Sequence, residues 1–191
     1  MQIGLYFGSF NPIHVGHCII ANFALAKTSL DQVWFVVSPQ NPLKPSGGLL
    51  NEYHRLHLVQ LAIEGESTLK VCDIEFRLPK PSYTVDTLSY LQEKYPQHSF
   101  AIIMGSDSLK NFPKWKNYNH IIRHYPIYIY LRPGHEELPF YEEAKITILK
   151  SPVLEISATL VRNNIKEGNS IRYLVPDKVL EEITKNGYYR N

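Results

Sequence analysis

The chain has 191 residues, 44% of them hydrophobic and 20% charged, which is the range of a globular domain with a proper core and excludes disordered and low-complexity readings. Twenty Lys and Arg against 18 Asp and Glu leave a formal charge of +2, too little for a protein that coats nucleic acid or a membrane surface, so a bound anion has to be met by a local site. No apolar run nears the ~18 residues of a membrane span, the start MQIGLYFGSF lacks the basic and long apolar regions of a signal peptide, and Cys18 and Cys72 form no CxxC pair; a cytoplasmic protein without disulfides or a thiolate zinc site is expected.

Five apolar runs of strand length follow one another along the chain: Ile3 to Phe7, Val33 to Val37, Leu69 to Ile74, Phe100 to Met104 and Ile127 to Leu131. Helical patterns separate them. Runs that are apolar throughout suit strands buried on both faces, so the alternation predicts a Rossmann-like α/β fold, an open parallel sheet with helices on both faces, in a single domain over residues 1–191. In Gly16 to Lys27, Ile19, Phe23 and Ala26 form one stripe and Ile20 and Ala24 the next, which predicts a largely buried helix. Asn51 is placed to cap a second helix carrying Leu58, Leu61 and Ala62, and Ser82 or Thr84 to cap a third carrying Val85, Leu88 and Leu91. Ser157 caps a predicted helix over Ala158 to Lys166, and Pro176 opens another that stops at Asn186-Gly187. Two stretches, Ser38 to Leu50 and Arg132 to Phe140, are too rich in Pro and Gly for regular structure; long loops of this kind hang over the strand ends of an open α/β sheet, where ligands bind.

The segment Gly8 to His17, GSFNPIHVGH, leaves the first strand and opens the first helix. In that setting a turn aims backbone N–H groups and a positive helix end at phosphates. Gly8 permits a tight exit, Gly16 permits close approach at the helix start, and His14 and His17 project from one side of a helical first turn. An isolated HxxH pair is equally open to capping or core histidines, or to half a zinc site, but no Cys or acidic partner at ligand spacing accompanies this one. The whole pattern resembles the (T/H)xGH signature of the nucleotidylyltransferase family, whose members move a nucleotidyl group from a nucleoside triphosphate onto a phosphate. That resemblance implies ATP contacts from Gly8, Ser9, Phe10, His14, Gly16 and His17.

A second segment, Ile156 to Arg162 (ISATLVR), at the end of an expected strand, resembles the family's ISxTxIR motif. It implies that Ile156, Ser157, Thr159 and Arg162 hold the triphosphate, with Ala158 standing where members often carry a second Ser; on the residues alone, Ser157 reads as an N-cap and Arg162 as a surface charge. Lys44 resembles the family lysine that reaches the phosphates from the Pro-rich loop. Three further features resemble the nicotinate mononucleotide adenylyltransferase branch: Ser82 to Leu88 (SYTVDTL), Gly105-Ser106-Asp107 with Trp115 beyond it, and Arg132-Pro133-Gly134. They imply that Gly105 and Asp107 hold sugar hydroxyls, that Trp115 stacks on a pyridine ring, and that Tyr83 and Thr84 lie at its carboxylate, while Arg132 joins substrate binding without an assigned part. Taken singly, Trp115 reads as a half-buried surface aromatic, Tyr83 as core and Asp107 as a helix cap.

The resemblance spans essentially the whole chain and implies transfer of AMP from ATP to nicotinate mononucleotide, giving deamido-NAD and pyrophosphate. A phosphate monoester is mostly dianionic at neutral pH, its second pKa being about 6, so it needs no general base. The catalytic task is alignment and the offsetting of charge, for which His14, His17, Lys44 and Arg162 are the candidates. The chain has no Walker A motif or GxSxG elbow, which disfavours a covalent enzyme intermediate; no protein metal ligands are expected, and Mg²⁺ arrives with ATP. Nicotinamide mononucleotide or 4′-phosphopantetheine as acceptor, CTP as donor, and a nucleotide sensor without turnover are the alternatives. On oligomeric state the sequence is silent.

Overall fold

The computed structural model describes residues 1–40, 48–139, 141, 144–152 and 154–190. Six strands, β1 (Gln2–Gly8), β2 (Gln32–Val37), β3 (Leu69–Cys72), β4 (Ser99–Gly105), β5 (Ile127–Tyr130) and β6 (Ile146–Leu149), form one sheet in the order β3-β2-β1-β4-β5-β6. Every neighbouring pair is parallel. The chain begins at the sheet's centre, winds outward through β2 and β3, then returns to lay β4 on the other side of β1. Strand order therefore reverses between β1 and β4, the kind of switch point at whose carboxyl end doubly wound sheets bind ligands.

Strand side chains alternate between two cores. Tyr6, Phe35, Val37, Ile103 and Tyr130 pack with α1 (Val15–Lys27), α2 (Glu52–Ala62), α6 (Ala158–Lys166) and α7 (Asp177–Asn186). On the opposite face Ile3, Leu5, Val36, Ile102 and Ile129 pack with α3 (Thr84–Lys94), α4 (Ser106–Lys110) and α5 (Tyr118–His124). These are the two helical layers that uninterrupted apolar strands require, and each fully buried Leu or Ile in them contributes about 1.5–3 kcal/mol. Among the described residues, no helix is long and apolar enough to cross a membrane.

The local stop and start signals act where expected. Asn51 Oδ1 accepts the Tyr53 N–H at 2.9 Å, Ser157 Oγ accepts the Leu160 N–H at 3.1 Å, and α7 follows Pro176 and ends at Gly187 with φ 63°. Helix α3 departs from expectation: its N-cap is Tyr83, with no side-chain cap bond, and the Ser82 side chain is directed at Glu75, to which its hydroxyl donates at 2.6 Å. The third apolar run stops as a strand at Cys72, and Ile74–Arg77 form a 3₁₀ turn. The strand expected to run up to Ile156 is β6, which ends at Leu149, so the second phosphate segment is reached through irregular chain.

Candidate active site

At the end of β1 the chain turns into α1 through Ser9 to Ile13. Gly8 is demanded by packing, since a Cβ there would lie 2.8 Å from the Phe10 ring. Phe10 sits at φ 45° with its ring buried, edge-on to Tyr6 and Phe35, and 5.0 Å centroid to centroid from His17. The side chain expected to touch ATP thus forms the floor beneath His17. Asn11, also buried, fastens the turn to the far end of the Pro-rich loop: its Nδ2 donates to the Gly48 carbonyl at 3.0 Å and its Oδ1 accepts the Leu50 N–H at 3.1 Å.

Helix α1 opens with His14 as N-cap. The His14 backbone N–H donates to His17 Nδ1 at 3.2 Å, so in its neutral form His17 carries its proton on Nε2, as a donor. The His14 ring makes no cap bond in return, because the His17 N–H goes to the His14 carbonyl at 3.0 Å. Instead it lies against His17, centroids 3.7 Å apart at a 32° tilt, and a Cβ on Gly16 would come within 3.0 Å of it. Burial, and second the Arg132 guanidinium, push the His14 imidazole down to about 4, and its Nδ1 has no hydrogen-bond partner among the described residues. At neutral pH His14 is therefore an uncharged ring at a helix N-terminus, whose N–H groups and dipole supply the positive potential.

Across the switch point, β4 ends at Gly105, the N-cap of α4. Asp107 Oδ1 lies 3.3 Å from Arg132 Nε, in contact but without hydrogen-bond alignment; both side chains are more than a third exposed, so the pair is worth under ~1 kcal/mol. Arg132 also donates to Tyr130 Oη at 3.1 Å, and its backbone N–H to the buried Ser106 Oγ at 2.9 Å. It thereby joins the turn after β4 to the turn after β5. Helix α6 arrives at the same end of the sheet: Arg162 Nη1 donates to the Asn11 carbonyl at 2.7 Å and Nη2 to Thr159 Oγ1 at 3.2 Å. A slot of about 20 Å³ lies between the histidines, Tyr6, Tyr130 and Arg132. It shares Arg132, Leu154 and Ile156 with an open cleft of about 350 Å³ over Asp107 and Ser157, a volume at the small end for ligand sites.

Tyr83, Thr84 and Trp115 form a second group. Lys116 Nζ pairs with Asp86 of α3 at 2.8 Å and lies 4.9 Å above the Tyr83 ring, while half-buried Trp115 packs on Phe112 with centroids 5.0 Å apart. Lys116 thus brings the Trp115 segment to the start of α3, where the Thr84 and Val85 N–H groups precede the first helical acceptor. Lys44 lies outside the described residues.

Residues 5–164 match the family described as cytidylyltransferase-like. The chain is 52% identical over 191 residues to a protein of Cytophaga hutchinsonii and 50% identical over 192 to one of Flavobacterium psychrophilum, covering 100% of each, and both carry the name probable nicotinate-nucleotide adenylyltransferase. The chain belongs to this nicotinate-nucleotide adenylyltransferase family. Its fold matches the nicotinic acid mononucleotide adenylyltransferase of Plasmodium falciparum, solved in complex with NaAD, with a TM-score of 0.79 over 98% of this chain and 97% of that one at 20% identity.

In this nicotinate-nucleotide adenylyltransferase family member, sequence reasoning passed over Tyr6, Asn11 and Tyr130. Tyr6 and Tyr130 look like ordinary strand core in the sequence, yet their rings, 5.9 Å apart, wall the slot beneath His17. Burial pushes the Tyr6 hydroxyl well above its usual range, so it stays protonated there. Asn11 carried one visible signal, its place inside the phosphate motif.

Proposed function

We propose that the protein transfers AMP from Mg·ATP to nicotinate mononucleotide, forming deamido-NAD and pyrophosphate in the cytoplasm. The observation that carries this reading is the meeting of two helix N-termini at one turn: α1 begins at His14, α6 at Ser157, and Arg162 ties α6 to Asn11. Two positive helix ends, a guanidinium and an Nε2-protonated His17 make a site for a polyanion. Identity of 50–52% over the full length to proteins named for nicotinate nucleotide supports the acceptor.

In this reading an oxygen of the acceptor phosphate attacks the α-phosphorus in line. The bond from that phosphorus to the bridging oxygen breaks, and pyrophosphate leaves with the electron pair. No proton has to be taken from the acceptor. His17 Nε2–H and the α1 amides donate to oxygens that gain charge, His14 becomes a second donor as phosphate approaches, and Lys44 adds charge from its loop. Ser157 Oγ accepts its cap bond from Leu160 and keeps its own O–H to donate, beside Thr159 and Arg162. The groups around the turn are imidazole, hydroxyl, amide and guanidinium, with Asp107 facing Arg132, so they suit phosphate, and Mg²⁺ enters as part of the substrate. Gly105 and Asp107 hold ribose hydroxyls, Arg132 edges the nucleotide cleft, Trp115 offers its face to the pyridine ring, and the open amides at Thr84 and Val85 meet the ring carboxylate. Nicotinamide brings no negative charge to that helix start, so the acid is the preferred acceptor.

Pyrophosphate release with Mg·ATP, offering nicotinate and nicotinamide mononucleotide in parallel, tests the assignment. Faster release with the acid is expected, and His17→Ala should lower kcat by about a hundredfold or more. Release only with 4′-phosphopantetheine, or only with CTP, would reassign the substrates; ATP binding without release under any pairing would make the protein a sensor.

A further inference from the structure

Two charged side chains are buried outside the machinery described above. Arg55 of α2 is fully buried, and among the described residues its side-chain hydrogen bonds all go to backbone carbonyls: Leu50 at 2.8 Å, Ser38 at 2.8 Å, Pro39 at 3.1 Å, and Ser9 of the phosphate turn. Glu75, in the 3₁₀ turn after β3, is 2% exposed and accepts the Ser82 hydroxyl at 2.6 Å, the Thr87 hydroxyl at 3.0 Å and the Ser38 hydroxyl. Among the described residues, neither charge has an ion-pair partner. Charged groups are rarely buried unless paired, so each is retained for the polar groups it organises.

The two sets of bonds meet at one residue. Ser38, just past β2, gives its carbonyl to Arg55 and its hydroxyl to Glu75. Arg55 reaches on to Ser9, and Glu75 reaches on to Ser82 just before α3 and to Thr87 in its first turn. We propose that Arg55 and Glu75, joined through Ser38, are positioning residues that hold the phosphate turn and the pyridine-binding start of α3 in a fixed relation. The proposal rests on the functional reading given above, and it names residues that neither touch substrate nor belong to its motifs.

The physical consequences differ on the two sides. In a planar trans peptide the carbonyl of one residue and the N–H of the next point oppositely, so Arg55, by holding the Ser9 carbonyl inward, turns the Phe10 N–H outward as a phosphate donor. On the other side, Glu75 occupies the Ser82 and Thr87 hydroxyl protons. With its side chain directed at Glu75, Ser82 makes no cap bond to α3, and the Thr84 and Val85 amides stay open for an anion. Binding of both substrates in line then depends on two turns whose separation is set by three linked residues.

Steady-state kinetics with each substrate varied in turn, together with residue-resolved amide hydrogen exchange, tests this on Ser38→Ala, Ser38→Thr, Glu75→Ala and Glu75→Gln. Ser38→Ala removes only a hydroxyl and should raise KM for nicotinate mononucleotide about tenfold, with a smaller change for ATP and little loss of Tm. Ser38→Thr restores the hydroxyl and should recover most of that loss. The Ser38→Ala/Glu75→Ala double variant should be no worse than Glu75→Ala alone, and Glu75→Gln should fall between Glu75→Ala and the parent. In exchange, Glu75→Ala should speed the Ser9 and Phe10 amides, across Ser38, at least tenfold. Unchanged KM values in Ser38→Ala, or faster exchange confined to residues 82–87, would overturn the proposal. If the parent protein shows no turnover with nicotinate mononucleotide, the functional reading fails on its own, while the exchange result still decides whether the two turns are coupled.

Discussion

Acidification should weaken the fold through His14, by an amount the structure allows to be worked out. The imidazole is driven from its usual 6.5 to about 4 by burial first and Arg132 second. At about 1.4 kcal/mol per tenfold change in proton affinity, that depression is worth about 3 kcal/mol. Between those two values the unfolded chain binds a proton at His14 that the folded chain refuses, so stability rises with pH. The contribution is complete above about 6.5 and is lost as pH falls through about 4. Glu75 acts in the opposite sense: burial raises its carboxyl, so its contribution is present below the ordinary carboxylate range and is lost as pH rises through its folded value. Comparing the parent with His14→Asn cancels the Glu75 part. Urea unfolding followed by the fluorescence of Trp34 and Trp115, at steps from about pH 7.5 to 4, should show the parent's advantage over His14→Asn shrinking by about 3 kcal/mol. A difference that stays flat across that window would refute the buried neutral imidazole. Triphosphate brings negative charge to the ring and favours its protonated form. ATP binding near pH 5.5 should therefore take up protons, measurable by calorimetry in two buffers of different ionisation enthalpy, and should take up fewer in His14→Asn.

Three further outcomes follow from packing and capping. Gly8→Ala places a methyl 2.8 Å from the buried Phe10 ring, an overpacking that costs about 1–3 kcal/mol and should lower Tm by several degrees in a circular-dichroism melt while reducing kcat. Ser157→Ala removes the cap on Leu160 and a proposed phosphate donor; denaturant titration should show a loss of about 1 kcal/mol, and KM should rise more for ATP than for the acceptor. Trp115→Ala should raise KM for nicotinate mononucleotide about two- to tenfold and leave KM for ATP near the parent's, and Trp115→Phe should retain most of the binding; equal effects on both substrates would remove Trp115 from the pyridine site.

What the sequence revealed and what it hid divide along the range of the interactions. The apolar runs at β1, β2, β4 and β5 mark strands with helices on both faces because burial on two sides leaves no polar alternation, and that pattern is local. Asn51 and Ser157 were legible as caps for the same reason, their acceptors lying two and three residues away. Helices α4 and α5, at five and seven residues, are too short to show a helical period, and β6 is a four-residue edge strand with Ile148 48% exposed, so its run did not mark where the strand before Ile156 ends. Ser82 carried a true capping preference that the fold overrode, since its side chain is directed at a carboxylate whose burial is decided only when the 3₁₀ turn packs against α3.

The same division runs through the candidate site. The histidines, glycines and hydroxyls around the phosphate turn sit in two short segments; the strand-turn-helix setting of the first suggested anion binding, and the resemblance to a family motif carried the second. Arg132 could be picked out but given no part, because its contacts with Ser106 and Asp107 span about 25 residues of chain. Arg55 and Glu75 were invisible: in EYHRLHLVQ and CDIEFRL they read as surface charges on amphipathic turns, and a net charge of +2 gives no hint that one cation and one anion are sealed inside. Their partners lie up to 46 and 37 residues away, and those bonds end on backbone carbonyls or on hydroxyls that any loop could supply. Motifs record the groups that meet substrate. The groups that set the distance between two halves of a site are recorded only in the packing, and in this protein both of them converge on Ser38.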